Sequence, residues 1–314
     1  MNTQAIYERI TGIIIEMLEN HKNNNYSESW INLSGGSTFA KNAVSNHVYS
    51  GINQLLLSYL KRKYNYTHNS WMTFKQLSEL GGRIQKGSKA SMVVFKSVLY
   101  IDKKTEKNIT PIIEGLIAKG QSTDHIEFKK VGYLKNYTVF SVSQIDGLPE
   151  QFYKVAELEQ LTGFERDEYA EHIIDSTGAN ICYAPQNEAY YMPSEDKIYM
   201  PDRRQFDSTE KFLNVIWHEV LHWSGHPSRL NRPITNRQTK KEISFEEIIA
   251  ELGAAFLCAY LGYETQITNN VAYIDSWLSV MKNDKQFVVQ ASSQAQKAAD
   301  YILEFSHVTE DAPF

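Results

Sequence analysis

The stretch KFLNVIWHEVLHWSGH, residues 211–226, decides how the chain is read. Asp207 with Glu210 three residues on forms a capping-box pattern, an apolar run from Phe212 to Trp223 follows, and Gly225 supplies a stop. The segment is therefore predicted helical, over 208–224. At 3.6 residues per turn, His218 and His222 project one above the other from the same face, close enough for both imidazoles to share one ion. Glu219 lies about 100° round the helix, where a carboxylate can take a proton from a nearby water. A chain of this composition produces the HExxH spacing by chance about 0.02 times. His226 falls past the glycine and is expected at the rim, beside the ligands rather than on the ion.

Two nitrogens leave a tetrahedral ion short of a protein ligand. The three-histidine form of the motif needs a histidine at position 228, where the chain has Ser228. A carboxylate from the next helix is the alternative. That helix reads SFEEIIAELGAAFLCAYLG, and its Glu247 and Glu251, one turn apart, share a face continued by Ala254, Ala255 and Cys258. Small residues permit close approach to the histidine-bearing helix. Glu247 is the expected third ligand, with Glu251 hydrogen-bonding a ligand imidazole. The reverse assignment stays open, because spacing does not separate two acids on one face. Glu246 is expected to point elsewhere, into solvent. The apolar neighbours Trp217, Leu221, Ile248 and Leu252 place both helices inside, and buried His and Glu need partners or a metal. Zn²⁺, or another divalent transition metal, is the expected cofactor; three protein ligands plus a position left to water make an open, catalytic form of site.

Working outward, 314 residues with 42% hydrophobic content can bury one large core or two ordinary ones, and two are expected. No apolar run approaches the roughly 20 residues of a membrane-spanning helix. Cys182 and Cys258 give no disulfide framework or CxxC pair, and MNTQAIYERI does not open like a signal peptide, so a cytoplasmic setting is expected. Through residue 145 there are 18 Lys and Arg against 10 Asp and Glu, a net of +8; the remainder carries 14 against 27, a net of −13. Such asymmetry points to a basic module that meets a polyanion, joined to an acidic module with different work.

The fold class expected is α+β. A mixed α/β domain over 1–145 has helices at 3–20, 50–64 and 73–80, strands at 91–101 and within 126–142, and an exposed tip at 102–107. A linker at 144–151 leads to a mainly helical domain over 152–314. Its helices are predicted near 154–161, 165–177, 208–224, 243–262 and 271–305, the last broken near 283–285. A hairpin at 189–192 and 197–200 lies just before the histidine helix, where an edge strand can take a peptide by backbone pairing. In the basic half, Tyr49, Trp71, Lys75, Arg83, Lys86, Lys89 and Lys96 interleave aromatic and cationic side chains, the combination that binds single-stranded DNA.

YSGIN at 49–53, WMTFKQ at 71–76, GGRIQKGSKA at 81–90, HEVLHWSGHPSRLNR at 218–232 and EEIIAELGAAFLCAYLG at 246–262 resemble the ArdC-type antirestriction proteins of conjugative plasmids. The likeness spans nearly the whole chain. It implies an N-terminal domain that binds single-stranded DNA without sequence preference, similar also to a segment of plasmid-transfer primases. It further implies a zincin-like metallopeptidase domain with His218, His222 and a glutamate of EEIIAE on the metal and Glu219 as base, in a protein that shields incoming mobile-element DNA from host restriction. The short, Lys-rich segment between the N-terminal strands departs from the pattern. Partners implied are single-stranded DNA and a protein or peptide substrate, with no membrane; the alternative is a protective DNA-binding protein whose metal site is structural or catalytically silent.

Overall fold

A computed structural model describes residues 2–23, 39–154, 163–234, 239–263 and 271–307. Helix α1 (Thr3–Asn23) comes first, then β1 (Lys41–Asn42), α2 (Ile52–Lys63), β2 (Ser70–Thr73), α3 (Phe74–Glu79), β3 (Arg83–Ile84) and the long β4 (Ser91–Asp102). After α4 (Thr110–Ala118) the chain returns as β5 (Phe128–Ser141) and a short β6 (Ile145–Asp146). β5 pairs antiparallel with β4 along its whole length and with β2, giving a sheet ordered β1-β2-β5-β4. The sequence pattern does not predict α4: its nine residues are nearly all apolar, so no period marks a buried face, and only Pro111 at its start signals a helix.

The stretch 144–151, expected to be a linker, instead belongs to the first half. β6 pairs with β3, and Leu148 packs with Met72, Leu77 and Ile145. The expected helix near 154–161 lies almost entirely outside the described residues. The second half then begins with α5 (Gly163–Ser176) and a sheet of β7 (Asn180–Ala184), β8 (Tyr190–Met192) and β9 (Lys197–Pro201), ordered β7-β9-β8. β8 and β9 form the predicted hairpin, while β7, which the pattern misses, adds in parallel on the far side. Helices α6 (Thr209–Ser224), α7 (Lys240–Tyr260), α8 (Val271–Asn283) and α9 (Phe287–Glu304) complete the fold.

The halves share one core. The α1 stripe Ile6, Ile10, Ile14 and Leu18 is fully buried between Met92, Val94 and Leu134 of the first sheet and the helices of the second half. Thr11 Oγ1 donates to the Lys285 carbonyl at 2.7 Å, so the first helix is tied to the α8–α9 junction. A separate, smaller core of Tyr49, Leu57, Trp71, Val93 and Val139 lies between α2 and the first sheet.

Candidate metal centre

Helix α6 begins one residue later than expected. Ser208 is the N-cap, its hydroxyl accepting from Lys211 N, whereas Asp207 reaches forward to pair with Lys211 Nζ. The helix ends at Gly225, but with φ −78° this glycine is not there for a left-handed turn. A Cβ at 225 would stand 2.8 Å from both Arg232 Nη2 and Ile234 Cγ2, so the missing side chain is what lets the following turn fold back onto the helix. Close approach of α6 and α7 likewise depends on a glycine: a Cβ at Gly253 would lie 2.6 Å from Leu221 Cδ1. The pattern points to Ala254, Ala255 and Cys258 for this role; Ala254 instead lines the cavity.

This packing brings three donor atoms together. His218 Nε2 and His222 Nε2 are 3.1 Å apart, and Glu247 Oε2 lies 3.5 Å from the first and 3.7 Å from the second. Bonds of about 2.0–2.1 Å in a tetrahedron give edges of about 3.3–3.4 Å, so the triangle is the size a divalent ion needs. Among the described residues, His218, His222 and Glu247 form the group with metal-ligand spacing. Glu251, its neighbour on the helix face, approaches the other side of the ring, 3.9 Å from His218 Nδ1. Glu219 is buried and lines the same cavity of about 650 Å³ as the three donors, together with Ala189 just before β8, Tyr190 and Tyr191 of the β8 edge, and Tyr273.

Glu246 corrects the sequence expectation. It is 3% exposed rather than solvated, and accepts from His222 Nδ1 at 3.2 Å and from Arg232 Nε and Nη2 at 3.0 and 2.8 Å. Arg232, itself buried, also donates to Ser224 Oγ at 3.0 Å and to the Leu221 carbonyl at 2.5 Å. Only the turn after Gly225 brings this arginine back beneath the histidine helix, so spacing along one helix gives no sign of it. Burial by itself opposes charge on both Glu246 and His222. The His222 and Arg232 contacts outweigh it and hold Glu246 down at about 2, and the two carboxylates raise His222 to about 10. Burial likewise opposes the Glu247 charge, but the two imidazoles hold its carboxyl well below the usual carboxylate range. Raised to about 10, His222 carries a proton on each ring nitrogen at neutral pH; Nδ1–H is held by Glu246, and the Nε2 proton is the one that a cation, at the point His218 Nε2 and the ionised Glu247 also face, would displace.

His226 does not join this group. The helix ends before it, and its Nδ1 lies 2.7 Å from Ser228 Oγ on the outside of the turn. Arg229, three residues on, stacks its guanidinium 3.9 Å over Trp223 and pairs with Asp196 at the β8–β9 turn, fastening the hairpin to the end of α6. Of the aromatic residues expected to meet DNA, Tyr49 and Trp71 are 4% and 0% exposed. Both pack in the core under α2, with Trp71 Nε1 bonded to Asn69 Oδ1, and Tyr49 also lines a cavity on the seam between the two halves. Lys75, Arg83, Lys86, Lys89 and Lys96 are exposed.

Comparison with known proteins accords with this arrangement. Residues 168–294 match a family described as zincin-like metallopeptidase, and residues 4–140 match the N-terminal domain of anti-restriction factor ArdC. The chain is 33% identical to the antirestriction ArdC protein of the R388 plasmid in its metal-free crystal structure, covering 96% of this chain and 97% of that one with a TM-score of 0.73. Against the Mn(II)-bound structure the values are 32%, 97%, 99% and 0.73. DNA primase TraC of Escherichia coli is 30% identical over 271 residues, 86% of this chain; the chain spans about a quarter of that protein's length. The uncharacterized protein y4eC of Sinorhizobium fredii is 30% identical over 95% of this chain and 91% of its own. With both halves matched in order and a solved relative aligned almost end to end, the chain belongs to the ArdC antirestriction family, an ArdC-type N-terminal region joined to a zincin-like metallopeptidase domain.

Proposed function

We propose that the protein binds single-stranded DNA without sequence preference, carries a divalent-metal peptidase site, and protects incoming mobile-element DNA from restriction. The division into a DNA-binding module over 1–145 and a metallopeptidase module over 152–314 is part of this reading. The observation that carries the peptidase assignment is the convergence of His218 Nε2, His222 Nε2 and Glu247 Oε2 on one point of an open cavity that Glu219 also lines. His218, His222 and Glu247 hold the ion, Zn²⁺ or another divalent transition metal such as the Mn(II) of the solved relative. When bound, such an ion supplies Lewis acidity, polarising a carbonyl and lowering the pKa of a water toward about 7.

The chain's own side chains do the rest. Glu219 accepts the proton of the attacking water and passes it to the leaving amine. Glu246, itself held by Arg232, keeps the His222 proton on Nδ1 so that Nε2 stays a ligand, and Glu251 orients His218 from the opposite side of its ring. The β8 edge presents backbone groups beside the cavity, where an extended peptide can pair. Glu219→Gln should abolish peptide cleavage while bound metal stays at wild-type stoichiometry; cleavage that persists would refute the assigned base. Electrophoretic titration with an unstructured oligonucleotide at low salt tests the DNA-binding reading, which predicts single strands favoured over duplex.

A further inference from the structure

A cavity of about 290 Å³ opens on the seam between the two halves. One wall carries His47, Phe95 and Lys96; the other is helix α9 with Ser293, Gln296 and Lys297. The walls are fastened to each other. Lys96 Nζ donates to Ser293 Oγ at 2.8 Å, and Gly51 N donates to Gln296 Oε1 at 2.9 Å. Among the described residues lining it there are two lysines and a histidine and no carboxylate. Asp300, one turn along α9, is engaged by Gln296 Nε2 at 2.8 Å. Partial burial, reinforced by the Lys297 charge, holds the Lys96 ammonium below the ordinary lysine range, and no carboxylate among the described lining residues faces the two cations.

Beside the cavity the β4–β5 hairpin carries an exposed aromatic pair. Phe95 at its lip is 38% exposed, and its ring meets that of Tyr137, 40% exposed, edge to face at 5.7 Å. In the β4–β5 register Val93 faces Tyr137, Phe95 faces Lys135 and Ser97 faces Tyr133, so these residues share one face of the hairpin; Val94 and Lys96, which faces Leu134, lie on the other face, and Val94, Phe95 and Lys96 all line the cavity. Lys135 Nζ lies 5.2 Å from the Tyr137 ring centre. Exposed aromatic rings beside cations suit unpaired bases joined by phosphates. A duplex keeps its base faces stacked inside, and its width does not enter a cleft of this volume.

We propose that the seam cavity holds a backbone phosphate of a single DNA strand whose neighbouring bases stack on Phe95 and Tyr137, so that Lys297 of the acidic half contacts the same strand as Lys96 of the basic half. The inference rests on the single-strand-binding reading above. It adds that the strand does not stay on the N-terminal module but bridges to α9.

The test uses the full chain and a fluorescein-labelled oligothymidylate, titrated by anisotropy over a salt series. Lys297→Ala should weaken binding about three- to tenfold and flatten the slope of log K against log salt by about 0.7, one single-strand phosphate contact. Lys240→Ala, an exposed lysine of the same half that does not line the cavity, should change neither. Phe95→Ala should weaken binding at least about fivefold, and the fluorescence of a Phe95→Trp protein should respond to oligothymidylate in step with the anisotropy. If the wild type binds and Lys297→Ala matches it in affinity and slope, the bridging inference is wrong. If the wild type fails to bind at low salt, the single-strand reading falls and takes the inference with it.

Discussion

Glu246→Leu probes the support behind His222. Glu246 and Arg232 are 3% and 6% exposed and meet through two hydrogen bonds of 2.8 and 3.0 Å. Leucine fills a comparable volume, so little of the effect is a void. What remains is a buried guanidinium with only Ser224 Oγ and the Leu221 carbonyl for partners, and a His222 Nδ1–H with no acceptor. Stranding one member of a buried ion pair costs about 3–5 kcal/mol. Removing the acceptor behind a ligand imidazole costs about 10- to 100-fold in metal affinity. Denaturant unfolding in the presence of a chelator reads the first quantity, and a competition titration with Zn²⁺ reads the second. The double variant Glu246→Leu/Arg232→Met separates them: with both charges gone, stability should recover to within about 1–2 kcal/mol of wild type, while Zn²⁺ affinity stays low. A solvated Glu246, as the sequence predicts, would instead leave stability within about 0.5 kcal/mol of wild type. That result, together with unchanged Zn²⁺ affinity, would show that neither Arg232 nor His222 depends on Glu246.

Gly225→Ala and Gly253→Ala should each destabilise the fold by about 1–3 kcal/mol, the cost of overpacking, because a Cβ meets Arg232 and Ile234 in one case and Leu221 in the other; a shift in the denaturant midpoint measures it. Asp196 is held below the usual carboxylate range chiefly by its hydrogen bond from Arg229. A depressed folded pKa contributes stability above the unfolded value and loses it as pH falls through the folded one. The stability gap between wild type and Asp196→Asn should therefore be open at pH 6 and close on acidification below the ordinary aspartate value of about 3.9; a gap independent of pH would contradict the Arg229 clamp. Phe212→Ala, which removes a buried ring at the start of α6, should cost about 3–5 kcal/mol, with unfolding followed by circular dichroism.

How much of this was legible in the sequence depended on whether a residue's partner lay on the same helix. His218, Glu219 and His222 can be placed because helical spacing fixes their relative directions and their apolar neighbours mark the buried side; for the third ligand, on the next helix, spacing narrows the choice to Glu247 and Glu251 without separating them. Glu246 cannot be placed, since its partner Arg232 is reached only through the turn that Gly225 permits. The N-cap differs by one residue because Asp207 and Ser208 are both good caps, and an ion pair with Lys211 takes the first away. Aromatic content near basic residues identifies the type of surface but not which rings form it: Tyr49 and Trp71 go to the core, while strand alternation turns Phe95 and Tyr137 outward. The stretch 144–151 has the composition of a linker, yet its Leu148 finds an apolar cluster and its neighbours a strand to pair with.

An anomalous-scattering map from crystals of the full chain grown with Zn²⁺ tests the metal centre most directly. The expected result is a strong peak about 2.0–2.2 Å from His218 Nε2, His222 Nε2 and Glu247 Oε2, with Glu219 nearby and not coordinated. No peak at that point, or one bound by Glu251 with Glu247 turned away, would contradict it.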